Sequence, residues 1–136
     1  MIKDNTFAQK RIGILGGSFN PAHRGHLHVS KQALDLMYLD EVWWMVSPQN
    51  PLKSSNGMAE FAVRIESAHI MARDSRIRVT DIEADLGTTY TAETLKKLKE
   101  IYSKANFVWL MGADNLIQIS KWRDWQDIFR AVPIAV

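Results

Sequence analysis

Short apolar runs alternate along the chain with stretches whose apolar positions recur at helical spacing. "RIGIL" (11–15), "EVWWMVS" (41–47), "IRVTDIE" (77–83), "NFVWLMG" (106–112) and "AVPIAV" (131–136) predict five buried strands. "HLHVSKQALDLMY" (26–38) places Leu27, Leu34 and Tyr38 on one stripe and predicts a helix. Helices are also predicted over 58–74, where Phe61, Ile65, Ala68 and Ala72 recur, and over 91–102, with Thr91 as its N-cap and Glu93 near its positive end. The stretch 113–129 begins as helix and breaks around its tryptophans, while 48–57 and 84–90 are loops by composition.

Strand and helix thus alternate four times before a last strand. That order predicts one α/β domain, a Rossmann-like, doubly wound parallel sheet of about five strands with helices on both faces. Right-handed crossovers bring every strand's C-terminal end to one edge, where such sheets bind ligands. The segments with unusual chemistry follow strands one to four, so all fall at that edge.

Composition narrows the field. The chain has 136 residues, 46% hydrophobic and 24% charged, with a net charge of +2, and contains no cysteine. A charge this small does not argue for nucleic acid. Without cysteine there is no disulfide framework and no thiolate metal site. No apolar run approaches the ~18 residues of a membrane span. Residues 1–10 are expected to be a polar leader without the apolar centre of a signal peptide, and the protein is expected in the cytoplasm.

The densest chemistry is "GGSFNPAHRGH" (16–26). Gly16 and Gly17 are expected to turn the backbone sharply and let a ligand approach it. Backbone amides there and at the following helix start can face an anion. The stretch is neither a Walker A loop nor a dinucleotide fingerprint, because the lysine and the glycine spacing are wrong. His23 and His26, three apart, can face one ligand and donate to phosphate oxygens. A zinc site with His28 nearby is one alternative, and a simple polar helix cap is another.

"GGSFNPAHRGH" resembles the signature of the nucleotidyltransferase superfamily that carries a His-x-Gly-His motif. Within it the chain resembles the bacterial nicotinate-nucleotide adenylyltransferases over about residues 11–136. "VSPQNPLKS", "EADLGTTYTAETLKKL" and "FVWLMGADNLIQISKWRDWQDIF" resemble that family's substrate loop, its Tyr-Thr element and its Gly-x-Asp and tryptophan segment.

The resemblance implies adenylyl transfer from ATP to nicotinate mononucleotide, giving nicotinate adenine dinucleotide and pyrophosphate in NAD biosynthesis. It implies His26 and His23 as catalytic residues. ATP would meet both histidines and Gly16, Gly17, Ser18, Phe19, Gly112 and Asp114; Asp114 would hold a ribose hydroxyl or cap the next helix. Nicotinate mononucleotide would meet Asn20, Lys53, Thr89, Tyr90, Thr91 and Trp122, with backbone amides on the carboxylate and Trp122 on the pyridine ring. Mg2+ would be carried mainly by the ATP phosphates, with no protein metal site. Neither nucleic acid nor membrane is implied as a partner. Arg64 matches a family arginine, expected in an ion pair. Trp43, Trp44, Trp109 and Trp125 are expected in the core, and His28 and His69 outside the site.

Two departures stand out. Leu52 occupies a place where relatives often carry His before the lysine, and family members continue past residue 136 with a Ser/Thr-rich segment that grips the ATP phosphates. A domain incomplete at that end would leave its last strand open to a second copy. A catalytically impaired nucleotide-binding remnant, or a sister phosphopantetheine or cytidylyl transferase, is the alternative.

Overall fold

The structure, a computed structural model, describes residues 10–48, 58–88 and 90–136. In chain order the elements are β1 (Arg11–Gly17), α1 (Arg24–Leu36), β2 (Glu41–Val46), α2 (Phe61–Met71), β3 (Ile77–Thr80), α3 (Ile82–Leu86), α4 (Thr91–Ile101), β4 (Asn106–Leu110), α5 (Ala113–Gln118), a 3-10 turn (Ile119–Lys121), α6 (Trp125–Ala131) and β5 (Ile134–Ala135).

All strand pairings are parallel, and the sheet order is β3-β2-β1-β4-β5. The chain steps outward from β1 to β3, then crosses back to lay β4 on the other side of β1. The winding reverses there, so the crevice beyond β1 and β4 is where a ligand site belongs.

Alternation along the buried strands divides the core in two. Ile12, Ile14, Trp43, Met45, Phe107 and Trp109 face α4 and α6, where Leu95, Leu98 and Ile128 cover them. Leu15, Val42, Trp44, Val46, Val108 and Leu110 face the other way, towards Leu34 of α1 and Ala68 of α2. The expected doubly wound architecture is therefore the observed one. Trp43, Trp44 and Trp109 are core residues, and Trp125 packs against the α4–α6 cluster half-buried.

Several boundaries differ from expectation. β1 continues through Gly16 and Gly17, which pair with Met45 and Val46 of β2. Neither glycine turns the chain, since Gly87 is the glycine with positive φ among the described residues. The third strand stops at Thr80, whose Oγ1 accepts the Ile82 N–H at 3.1 Å. α3 follows instead of more strand and loop: Ile82 and Leu86, four apart, both pack on the α4–α6 cluster. Gly87 closes it at a φ of +68°, the left-handed conformation that a residue without Cβ adopts freely. Thr91 is the first helical residue of α4, and Tyr90 occupies the N-cap without a side-chain cap bond.

Candidate active site

The histidines organise the turn between β1 and α1. His23 is the N-cap of α1 and accepts the Gly25 N–H on Nδ1 at 3.1 Å. His26 accepts the His23 N–H on its own Nδ1 at 3.0 Å, closing a reciprocal capping box. An Nδ1 that accepts carries no proton, so the hydrogen-bond network assigns the proton of each neutral ring to Nε2. The rings lie 3.9 Å apart, centroid to centroid. Burial, and after it the neighbouring His23, hold the His26 imidazole down at about 4. This ring is therefore neutral at physiological pH and ready to donate from Nε2.

The shelf beneath His26 is aromatic. Phe19 lies 4.5 Å from it and stacks on Trp44 at 5.3 Å. Phe19 holds a φ of +50°, costly for a residue with a side chain, and its ring is 2% exposed. Buried Ser30 links helix to shelf: its hydroxyl donates to the His26 carbonyl and accepts the Trp44 indole N–H, each at 2.7 Å.

These residues line a cavity of about 740 Å3 at the C-terminal edge of the sheet. Gly16, Gly17, Ser18, Phe19, Asn20, His23 and His26 are among its lining. Asn20 Oδ1 also accepts the Ala59 N–H at 3.1 Å, which ties the turn to the start of α2. Gly16 is required by its neighbour, because a Cβ there would lie 2.5 Å from the Trp109 ring. Tyr90, Thr91, Gly112 and Trp122 also line the cavity, and Trp122 meets Trp109 edge-on at 6.2 Å.

Most of the residues singled out in the sequence thus converge on one cavity. Lys53 and Thr89 lie outside the described residues, as does most of the loop containing Leu52. Asp114 falls within α5, and its side chain is also outside the description. His28 and His69 are exposed on helices away from the cavity lining. Among the described residues no three His, Cys, Asp or Glu side chains are grouped to hold a metal ion.

Arg64 corrects the expectation of an ion pair. It is 2% exposed and donates to four carbonyls: Ala59 at 2.9 Å, Ser18 at 2.8 Å, Ser47 at 2.6 Å and Pro48 at 2.8 Å. The planar guanidinium thus joins the histidine turn to the segment after β2. Burial lowers its pKa from the ordinary arginine value.

Sequence reasoning missed Ser47, Glu83, Asn115, Lys121 and Arg123, which also line the cavity. The available signal was "KWR", which brackets Trp122 with two cations; Arg123 lies over the Tyr90 ring at 5.1 Å. Glu83 carried no local signal, since the partners of its carboxylate, Ser47 after β2 and Thr94 on α4, are distant in sequence.

The chain matches the cytidylyltransferase-like family over residues 14–136. It is 61% identical over 126 residues to a protein of Parvibaculum lavamentivorans named "Probable nicotinate-nucleotide adenylyltransferase", covering 93% of this chain and 63% of that one. A protein of the same name from Erythrobacter litoralis is 58% identical over 126 residues, covering 93% of this chain and 58% of that one. The fold is similar to Plasmodium falciparum nicotinic acid mononucleotide adenylyltransferase, whose structure is complexed with NaAD. The TM-score is 0.77 and the identity 27%, over 88% of this chain and 60% of that one. The chain spans about three fifths of the length of these curated relatives. Its histidine turn at the winding reversal, its five-stranded sheet and these similarities agree: the chain belongs to the cytidylyltransferase-like family, and within it to the nicotinate-nucleotide adenylyltransferases.

Proposed function

We propose that the chain carries the site at which AMP passes from ATP to nicotinate mononucleotide, giving nicotinate adenine dinucleotide and pyrophosphate. The observation that carries this reading is the His23–His26 pair, with each Nδ1 tied to a backbone N–H and each Nε2 left as a donor. The attacking group is a phosphate anion, so a strong general base is unnecessary. What the site must supply is in-line placement of two anions and donors for the charge on the transferred and leaving phosphates. His26 serves the transferred phosphate and His23 the leaving chain. Bound phosphate raises the His26 pKa from its low unliganded value, because an adjacent anion favours the cation.

ATP enters as its Mg2+ complex, with the ion on the phosphates. The backbone of Gly16–Phe19 lies along the nucleotide, and Gly112 and Asp114 stand towards the adenosine. At the other end the first amides of α4, beside Tyr90 and Thr91, receive the nicotinate carboxylate, and Trp122 faces the pyridine ring. Thr89, Lys53 and Asn20 complete that end. An uncharged carboxamide gains less from helix-end amides, so the acid is preferred.

The test is pyrophosphate release with MgATP and nicotinate mononucleotide, with nicotinamide mononucleotide run beside it. The expected result is release with the acid, reduced about 10²–10³-fold by His26→Ala, the usual cost of one such donor. Undiminished turnover in His26→Ala overturns the reading. Turnover only with a cytidylyl or phosphopantetheine substrate assigns a sister transferase. Mononucleotide binding without release assigns a nucleotide-binding remnant.

A further inference from the structure

The core tryptophans differ in how their ring N–H groups are satisfied. Trp43 donates to Glu41 Oε1 at 3.1 Å, and Trp44 donates to Ser30 Oγ at 2.7 Å. Trp109 is 2% exposed, yet its Nε1 is closed off from solvent and has no hydrogen-bond partner among the described residues. An N–H stripped of water and left without an acceptor is costly, so such a donor points to a weaker acceptor close by.

Trp109 cannot turn to find one elsewhere. It pairs with Ile14 of β1 on one side and Ile134 of β5 on the other. Its six-membered ring fills the space that a Cβ on Gly16 would need. The aromatic ring that meets it is Trp122, at 6.2 Å between centroids and 85° between planes. Planes so close to perpendicular set the edge of one ring on the face of the other, the arrangement their quadrupoles favour. Trp109 brings to this pair an N–H that lacks an acceptor, and the face of an indole accepts an N–H.

Trp122 needs such a hold. Its backbone N–H closes the 3-10 turn on the Ile119 carbonyl at 3.0 Å. Its ring stands half-buried at the cavity, between exposed Lys121 and Arg123. With one face of Trp122 taken by the Trp109 edge, the opposite face is left for a flat ligand ring.

We propose that the Trp109 ring N–H donates to the π face of Trp122 and thereby fixes the plane on which the pyridine ring of the mononucleotide stacks. This rests on the adenylyltransferase reading. It makes Trp109 a positioning residue, acting through Trp122 rather than on the ligand.

Two measurements on the whole chain test the proposal. The first needs no substrate. A proton above an aromatic face is shielded by the ring current. In a proton–nitrogen correlation spectrum, the Trp109 indole resonance should therefore lie upfield of those of Trp43 and Trp44. In Trp122→Leu it should move downfield towards them. The second is calorimetric titration of nicotinate mononucleotide as a double-mutant cycle over Trp109→Phe and Trp122→Leu. Phenylalanine keeps an aromatic edge but has no N–H to give. Trp109→Phe should weaken binding about two- to fivefold, the worth of one such contact, and should add nothing in the Trp122→Leu background. A Trp109 resonance among the other indoles, or one that Trp122→Leu leaves in place, overturns the proposal. So does Trp109→Phe binding as tightly as wild type, or weakening binding equally with and without Trp122, the mark of a purely structural core residue. If Trp109→Phe does not fold, the spectra of wild type and Trp122→Leu decide alone. A shielded Trp109 resonance in a wild type that binds no nicotinate mononucleotide fails the adenylyltransferase reading, and the positioning role falls with it.

Discussion

At the scale of single residues, the site rests on side chains whose roles come from their partners. His26 is the clearest case. An unfolded chain protonates this imidazole near 6.5, the folded protein only at about 4. The unfolded state therefore binds more protons between those values, and His26 makes stability fall as pH drops from about 6.5 towards 4. Imidazole NMR of the unliganded protein should show a neutral Nε2–H tautomer down to about pH 4, and phosphate ligands should move that midpoint upward. Arg64 supplies a second case. Four carbonyls accept from one rigid fork, and a lysine ammonium cannot reproduce that planar geometry. Arg64→Lys should cost about 2 kcal/mol or more, read as a lower denaturant midpoint at unchanged slope. The histidine pair was legible in the sequence because a strand end, a turn and a helix start lie within eleven residues. The carbonyl bonding of Arg64 and the burial of Glu83 were not, because Arg64 looks like an ordinary charged position on a helix and Glu83 like the polar end of a strand. Only the packing of distant segments shows that they are buried.

At the scale of elements, local pattern located the strands well and their ends less well. Strands buried on both faces are continuous apolar runs, which is why β2 and β4 stood out. β1 ran two residues further than its apolar run because glycine carries no apolar signal while still pairing with β2. α3 was hidden by its length of five residues and by a β-branched Ile82 that suits strand equally well. What decides in favour of helix is tertiary: Ile82 and Leu86 share one core face only when wound. The glycine end of β1 also yields a prediction. Gly16→Ala drives a methyl against the buried Trp109 ring, which must shift to admit it, so it should destabilise the protein by about 1–3 kcal/mol. Thermal denaturation will show this, and Gly17→Ala, with nothing closer than 3.8 Å, should be nearly neutral.

At the scale of the whole molecule, stability is distributed unevenly across the sheet. β1 lies at the centre, paired along its length with β2 and β4, whereas β5 meets β4 at two positions. Amide exchange should follow this gradient, slowest in β1 and the facing half of β4 and fastest in β5. Equal protection across all five strands would mean that the edge is held by contacts other than its ladder. The doubly wound class was legible from alternation alone. The sheet order was not, since strand-helix alternation fits several orders, and only the packing of α4 against the face opposite α1 selects this one.

The division of the core into two faces has an optical consequence. Trp43 and Trp44 are consecutive, yet they sit in different rooms. Trp43 meets Tyr102 and Phe107 edge-on at 5.6 and 5.7 Å, on the side covered by α4 and α6. Trp44 stacks on Phe19 and lies 5.9 Å from His26, on the side of the histidine turn. One peptide bond therefore separates two fluorophores, one reporting on the face covered by α4 and α6 and the other on the histidine turn that lines the cavity. Comparing Trp43→Phe with Trp44→Phe would make ligand arrival and loosening of the far side separately visible as light.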